Sequence, residues 1–99
     1  MPKYSFDEIK LMLNEMIAEG NEPELSLFMY GKEYMLIGFT DRYSFQRCGY
    51  SDGSGEFYYS TLDDLYNSVT VDGILLKRDW KDITRFECEH YEFIYGEEF

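Results

Sequence analysis

The stretch Tyr34-Met35-Leu36-Ile37-Gly38-Phe39 is the longest apolar run in the chain, and it lies between two tight-turn signals. A short apolar run bounded by turns is typical of a buried β-strand. The segment before it, residues 24–30, alternates between two apolar faces, as a neighbouring strand would. We therefore predict that this run is the central strand of a small antiparallel sheet.

The turn signals on either side of this strand predict its register. Gly31-Lys32 suits a two-residue hairpin loop of the Gly-X kind, which would set Leu25 opposite Gly38. Asp41-Arg42 is the predicted second turn, which would set Phe45 opposite Gly38 on the other side. A large ring beside a strand glycine can restore the packing that the glycine lacks.

The pattern of residues 4–19 predicts an N-terminal helix. Ser5 and Glu8 have the spacing of a capping box, in which each side chain satisfies a free backbone N–H of the first turn. Gly20 suits a left-handed C-cap, and Pro23 prevents the helix from continuing. One apolar stripe follows helical spacing and is predicted to face the sheet: Phe6, Ile9, Met12, Leu13, Met16 and Ile17.

The rest of the chain completes an α+β pattern. Residues 43–48 and 56–59 predict a third and a short fourth strand, and a short helix is predicted after Thr61. A helical turn is expected near Trp80, and residues 84–95 predict an edge strand or a bent pair of strands. The predicted fold is one α+β domain, with an antiparallel sheet of four or five strands, an N-terminal helix on one face and one or two short helices before the last strand.

The charge balance limits the classes of partner. Nine Lys and Arg stand against 20 Asp and Glu, which gives a net charge of −11. Phosphate binding needs clustered basic side chains, so direct binding of nucleic acid or of an anionic membrane is not expected. The chain has no signal-peptide pattern and no apolar run of membrane-spanning length, so we expect a cytoplasmic protein. A protein partner with a basic surface fits the charge.

Acidic residues crowd two regions. From Asp7 to Glu24 there are six carboxylates and one Lys, and from Glu87 to Glu98 there are five carboxylates with no Lys or Arg. If the last strand lies near the first helix, the two regions form one negative surface. Together with exposed Tyr side chains, this surface favours a non-enzymatic, inhibitor-like or immunity-like module that recognises a basic site. The alternative is a solvated acidic face. The predicted partner-binding residues are Glu87, Glu89, Tyr91, Glu92 and Tyr95, with Asp7, Glu15 and Glu19 as a second patch.

Two further functions are compatible with the sequence. Cys88 and His90 sit two residues apart, as a small enzyme or metal site would need. The chain has only one His and two Cys, too few for the usual four-ligand structural zinc site. We therefore predict no catalytic residue, no metal and no cofactor. The other alternative is a structural homodimer that pairs through an uncovered strand edge.

A pattern in the second half of the chain resembles known sequences. It consists of Leu62-Asp63-Asp64-Leu65, then Val71-Asp72-Gly73, then Leu76 and Trp80. This pattern is similar to one near the C-terminus of small uncharacterised acidic proteins of Gram-positive bacteria and their mobile elements. The resemblance implies a bacterial or phage-type cytoplasmic protein, and it supplies no catalytic residue.

Overall fold

The chain begins with a well-capped helix. In the computed structural model, which describes residues 4–49 and 57–88 together with the backbone of 93–96, helix α1 spans Phe6–Ala18. The predicted capping box is confirmed, since Glu8 N–H donates to Ser5 Oγ at 3.1 Å and Ser5 N–H donates to Glu8 Oε1 at 2.8 Å. After the helix, Gly20 has φ +90° and donates its N–H to the Ile17 carbonyl at 3.0 Å. These two ends fix the length and direction of α1.

In the part of the chain that the structure describes, six strands form one antiparallel sheet, in the order β4-β3-β2-β1-β5-β6. The α+β class is thereby confirmed. The sixth strand arises because the segment predicted as an edge strand or a bent pair of strands contributes two strands, β5 and β6, which was one of the two predicted possibilities. The strands are β1 Glu24–Met29, β2 Lys32–Gly38, β3 Tyr43–Arg47, β4 Phe57–Tyr59, β5 Arg85–Cys88 and β6 Phe93–Gly96.

Short helical elements connect β4 to β5. They are α2 Leu62–Tyr66, a 3₁₀ turn Val71–Gly73, α3 Leu76–Asp79 and a second 3₁₀ turn Trp80–Asp82. Thr61 caps α2 by accepting the Asp64 N–H at 3.1 Å. All of these elements, together with α1, contribute buried apolar side chains to the core that they share with the sheet. The sheet side of this core comprises Leu25, Leu27, Met29, Tyr34, Leu36, Phe45, Phe86 and Cys88.

The predicted register was wrong by two residues on both sides of β2. The two-residue turns are Tyr30-Gly31, with both φ angles positive, and Thr40-Asp41, closed by the Phe39 N–H to Arg42 carbonyl bond of 2.9 Å. Each turn lies one residue earlier than predicted, so each pairing moves by two residues. Leu36 of β2 therefore pairs with Leu25 of β1 on one side and with Phe45 of β3 on the other. Since side chains alternate with period two, a shift of two residues leaves the predicted faces unchanged.

Gly38 has a different role from the predicted one. Tyr43, and not Phe45, is its partner across the β2–β3 pair. A Cβ at position 38 would lie 2.9 Å from Ile17 Cδ1 and 3.3 Å from Pro23 Cγ. A side chain at this position would force the end of the Ile17 side chain and the Pro23 ring to shift, so glycine lets α1 and the segment after it approach the sheet closely.

The other face of the sheet carries no helix in the described part of the chain. We call it the open face and define it by Phe28, Met35, Ile37 and Tyr58, which strand alternation places opposite the core. The first three side chains are half-buried, and Tyr58 is 51% exposed.

A buried hydroxyl on the open face predicts a stabilising substitution. Ser44 lies between Ile37 and Tyr58, is fully buried, and its Oγ has no hydrogen-bond partner in the described ranges. Leaving a buried hydroxyl unpaired costs about 1–3 kcal/mol, so we expect Ser44→Ala to raise the free energy of unfolding by about 1 kcal/mol in urea titration. Ser26→Ala is the matched control on the same face. Its hydroxyl donates to Glu33 at 2.8 Å, so this variant should lose stability. A loss in both variants would contradict the prediction.

Candidate functional site

The outer side of α1 presents an acidic row with one apolar residue in it. Asp7, Leu11, Glu15 and Glu19 are spaced four residues apart and are all exposed, and we call them the α1 ridge. Residues at this spacing lie one above another on a helix surface, so the ridge is about 18 Å long at 1.5 Å per residue. Leu11 is 64% exposed, among the most exposed large apolar side chains described. Its position between carboxylates gives the ridge an apolar centre.

The one lysine in α1 does not neutralise the ridge. Lys10 Nζ lies 2.9 Å from both carboxylate oxygens of Asp63, at the start of α2. This hydrogen bond is the main cause that raises the pKa of Lys10 above its ordinary value. The positive charge of Lys10 is thus directed toward α2.

The C-terminal candidate residues do not lie beside the ridge where the structure describes them. Glu87 in β5 alternates with the core residues Phe86 and Cys88, so it faces away from α1. Its carboxylate Oε2 lies 2.7 Å from the Arg85 guanidinium. Glu87 and the ridge are therefore on opposite sides of the sheet, and the expected single negative surface does not form between them.

The remaining members of that candidate set are described only in part. The backbone of Tyr95 in β6 pairs opposite Phe86. Glu89, Tyr91 and Glu92 lie outside the described residues. Their assignment to a partner-binding surface stays a prediction.

The cysteines have different surroundings. Cys88 is buried in the core with 2% of its surface exposed, while His90 lies outside the described residues. Cys48 is half-buried, and burial followed by the nearby Glu33 carboxylate raises its thiol pKa, which disfavours the reactive thiolate. Within the described ranges, the His, Cys, Asp and Glu side chains form no group of three or more able to hold a metal ion.

A polar network that the sequence did not suggest joins the β1–β2 turn to α3. Asp79 is 4% exposed and accepts hydrogen bonds from the Leu75 N–H at 2.9 Å and from the Arg78 guanidinium at 2.8 and 3.0 Å. The Tyr30 hydroxyl lies 2.9 Å from Asp79 Oδ1 and 2.6 Å from Asp82 Oδ2. The hydrogen bond from Arg78 is the main cause that lowers the pKa of Asp79 to about 2. The hydrogen bonds to Asp82 and Asp79 raise the pKa of the Tyr30 hydroxyl.

This network also accounts for an unusual backbone. Tyr30 has φ +55°, a conformation that bulky residues rarely adopt and that Asn or Gly usually supplies in such hairpin turns. Anchoring the hydroxyl on two carboxylates of the α3 region offsets this strain. The partners are 49 and 52 residues away along the chain, so no local sequence signal could reveal them.

Two open grooves border α1. A groove of about 670 Å³ has Asp7 and Glu8 on one side and Lys77, Arg78 and Lys81 on the other. Arg78 is already bound to Asp79 and Lys81 to Asp82, so most of the basic side is neutralised. A second groove of about 410 Å³ is bridged at its rim by the Lys10–Asp63 pair.

Comparisons with known proteins give no match: no family model, no curated protein and no solved structure resembles the chain significantly. Among the helices in the described ranges, the longest is α1 with 13 residues, and none has both the length and the apolar character needed to cross a bilayer.

Proposed function

We propose that this chain is a non-enzymatic protein-binding module, of the inhibitor or immunity type, that recognises a basic site on a protein partner. The observation that supports this proposal is the α1 ridge, a rigid row of three carboxylates around the exposed Leu11. We further propose a bacterial or phage-type cytoplasmic setting, in line with the resemblance of the Leu62–Trp80 segment.

The ridge has the two elements that a charge-led interface needs. Carboxylates held at fixed spacing raise the rate of encounter with a basic surface, and a net charge of −11 extends the attraction beyond the contact itself. An apolar side chain at the centre adds contact area whose contribution to binding, unlike that of the charges, is not screened. The capped ends of α1 keep the row in one geometry, so little order is lost on binding.

The C-terminal set of Glu87, Glu89, Tyr91, Glu92 and Tyr95 remains a second proposed contact region. Because Glu87 faces the opposite side of the sheet from α1, one flat partner surface would not cover both regions. We therefore propose the ridge as the primary site.

The test compares two variants of equal net charge. Asp7→Lys/Glu15→Lys reverses two ridge charges, and Asp41→Lys/Asp64→Lys reverses two exposed carboxylates elsewhere. Each variant changes the net charge by +4, so general electrostatic attraction weakens equally in both. Proteins retained from a lysate of the encoding cells by the wild-type chain and by the control, and lost from the ridge variant, are the partner candidates.

Titration calorimetry with the purified candidate then measures the effect. We expect the ridge variant to weaken binding about 5- to 30-fold and the control variant by no more than about threefold, since reversing each of the two ridge charges costs about 0.5–1 kcal/mol. Binding should also weaken steeply as salt rises to 0.3 M. Equal losses in the two variants, or salt-independent affinity, would reject the ridge as the site.

A further inference from the structure

The lysine of α1 pairs with a distant carboxylate although a carboxylate of its own helix is closer along the chain. Asp7 lies three residues before Lys10, and residues at this spacing are neighbours on a helix surface, where opposite charges commonly pair. Lys10 Nζ instead lies 2.9 Å from both carboxylate oxygens of Asp63, 53 residues away. Within the described ranges, Asp7 forms no ion pair. Its charge is therefore not neutralised by the lysine beside it.

The first turn of α2 holds the competing carboxylate in a fixed place. Thr61 caps the helix by accepting the Asp64 N–H at 3.1 Å, and the Asp63 carbonyl accepts the Asn67 side-chain amide at 2.8 Å. The hydrogen bond to Asp63 is the main cause of the raised pKa of Lys10, and the charge of Asp7 is a smaller one. The ammonium group thus lies within electrostatic reach of both carboxylates and is bonded to the one on α2.

Helix geometry leaves Lys10 one acidic alternative on α1. Of the four positions three or four residues from Lys10, two are occupied by buried apolar residues of the core. The third is Asn14, which is uncharged and already accepts the Tyr43 hydroxyl at 2.9 Å. The fourth is Asp7, so this is where the ammonium group would turn if the Asp63 carboxylate were absent.

We infer that Asp63 is a positioning residue for the α1 ridge, which draws Lys10 toward α2 and so leaves Asp7 available to the cations of a basic partner. The inference rests on the proposed function, because it concerns the same ridge. With Lys10 turned to Asp7, the N-terminal end of the ridge would carry a positive charge beside its carboxylate. That charge would repel a basic surface and offset part of the attraction that the ridge provides.

Nuclear magnetic resonance of two matched variants tests where Lys10 turns, with no partner present. Asp63→Asn removes the carboxylate bonded to Lys10, and Asp64→Asn makes the same charge change at an exposed position in the same turn of α2. We expect nuclear Overhauser cross-peaks between the Lys10 Hε and Asp7 Hβ protons in Asp63→Asn, and none in the wild-type chain or in Asp64→Asn. Their absence from Asp63→Asn would overturn the inference, whether or not the ridge binds a partner.

Titration with a decalysine peptide at low salt measures the consequence for binding. The amide shifts of Asp7, Leu11 and Glu15 report binding at the ridge itself, so binding to other acidic positions does not enter the fitted dissociation constant. We expect that constant to be about two- to fivefold higher for Asp63→Asn than for Asp64→Asn, which is the size of effect that one exposed charge interaction has.

The double variant Lys10→Gln/Asp63→Asn separates this role from a structural one. It has the net charge of the wild-type chain and no lysine to turn toward Asp7, so the wild-type dissociation constant should return. If the Lys10–Asp63 pair only tied α1 to α2, the tie would stay broken and binding would stay weak. That result, or equal constants for Asp63→Asn and Asp64→Asn, would overturn the inference. If the cross-peaks appear but decalysine shifts no ridge amide of the wild-type chain, the proposed function fails while the placement of Lys10 by Asp63 stands.

Discussion

Replacing Trp80 with alanine is expected to lower the free energy of unfolding by about 4 kcal/mol, because large-to-small changes at buried aromatic positions cost about 3–5 kcal/mol. Trp80 is 7% exposed; its ring packs edge-on against Phe6 of α1 at 5.4 Å between centroids and at a tilt against Phe86 of β5 at 5.9 Å. Its indole Nε1–H also donates to the Tyr4 carbonyl at 2.9 Å. One side chain thus joins the N-terminal helix, the α3 region and the sheet.

The conservative variant Trp80→Phe separates packing from hydrogen bonding. It keeps a ring in the core but leaves the Tyr4 carbonyl without this donor, so we expect a loss of about 1–2 kcal/mol. Trp80 is the sole tryptophan of the chain, so both variants should be followed by far-UV circular dichroism in urea and not by tryptophan emission. If the alanine variant lost no more stability than the phenylalanine variant, the role of Trp80 in packing would be refuted.

Replacing Asp79 with alanine is expected to cost about 3 kcal/mol. The substitution removes a buried carboxylate that accepts hydrogen bonds from the Leu75 N–H, the Arg78 guanidinium and the Tyr30 hydroxyl. Breaking one side of such a cluster leaves the donors in a partly dry site without their acceptor. Asp82→Ala is the control. Asp82 shares the Tyr30 hydroxyl, but its side chain is 36% exposed, so we expect a loss of less than about 1 kcal/mol.

The same carboxylate predicts a pH dependence. In the folded chain the pKa of Asp79 is about 2, against an ordinary value of 3.8. A depressed pKa contributes stability that is present above about pH 4 and is lost as pH falls toward 2, and the difference corresponds to about 2 kcal/mol. Urea titrations of the wild-type chain and of Asp79→Asn at pH 5 and pH 2 should converge at the lower pH. Parallel losses in both proteins would show that Asp79 does not carry this dependence.

Local signals were sufficient for several elements. The capping box of Ser5 and Glu8 and the Gly20 stop predicted α1, because the groups that satisfy a helix end lie within a few residues of it. Period-two alternation predicted which residues of β1 and β2 face the core, since that pattern follows from strand geometry. The error in register did not affect this prediction of faces, since a shift of two residues keeps each side chain on the same side of the sheet.

The register itself depended on contacts that are remote in sequence. Gly31-Lys32 is the better local match to a hairpin loop, yet the turn is Tyr30-Gly31, because the Tyr30 hydroxyl is bound by Asp79 and Asp82. A distant anchor can thus hold a residue in a conformation that its local preference opposes.

The candidate site divides in the same way. Composition and spacing identified Asp7, Glu15 and Glu19 as an acidic patch, but the exposure of Leu11 at its centre became apparent only from the packing of α1 on the sheet.

By itself, the sequence determined the α+β class, the ends of α1, the faces of the strands and the strong negative charge, because each depends on residues close together in the chain or on composition alone. Only the tertiary structure decided the register of β2, the role of Gly38 beneath Ile17, the burial of Asp79 and the separation of Glu87 from the α1 ridge. Each of these depends on which distant segments meet, and that is settled by how the whole chain buries its apolar surface.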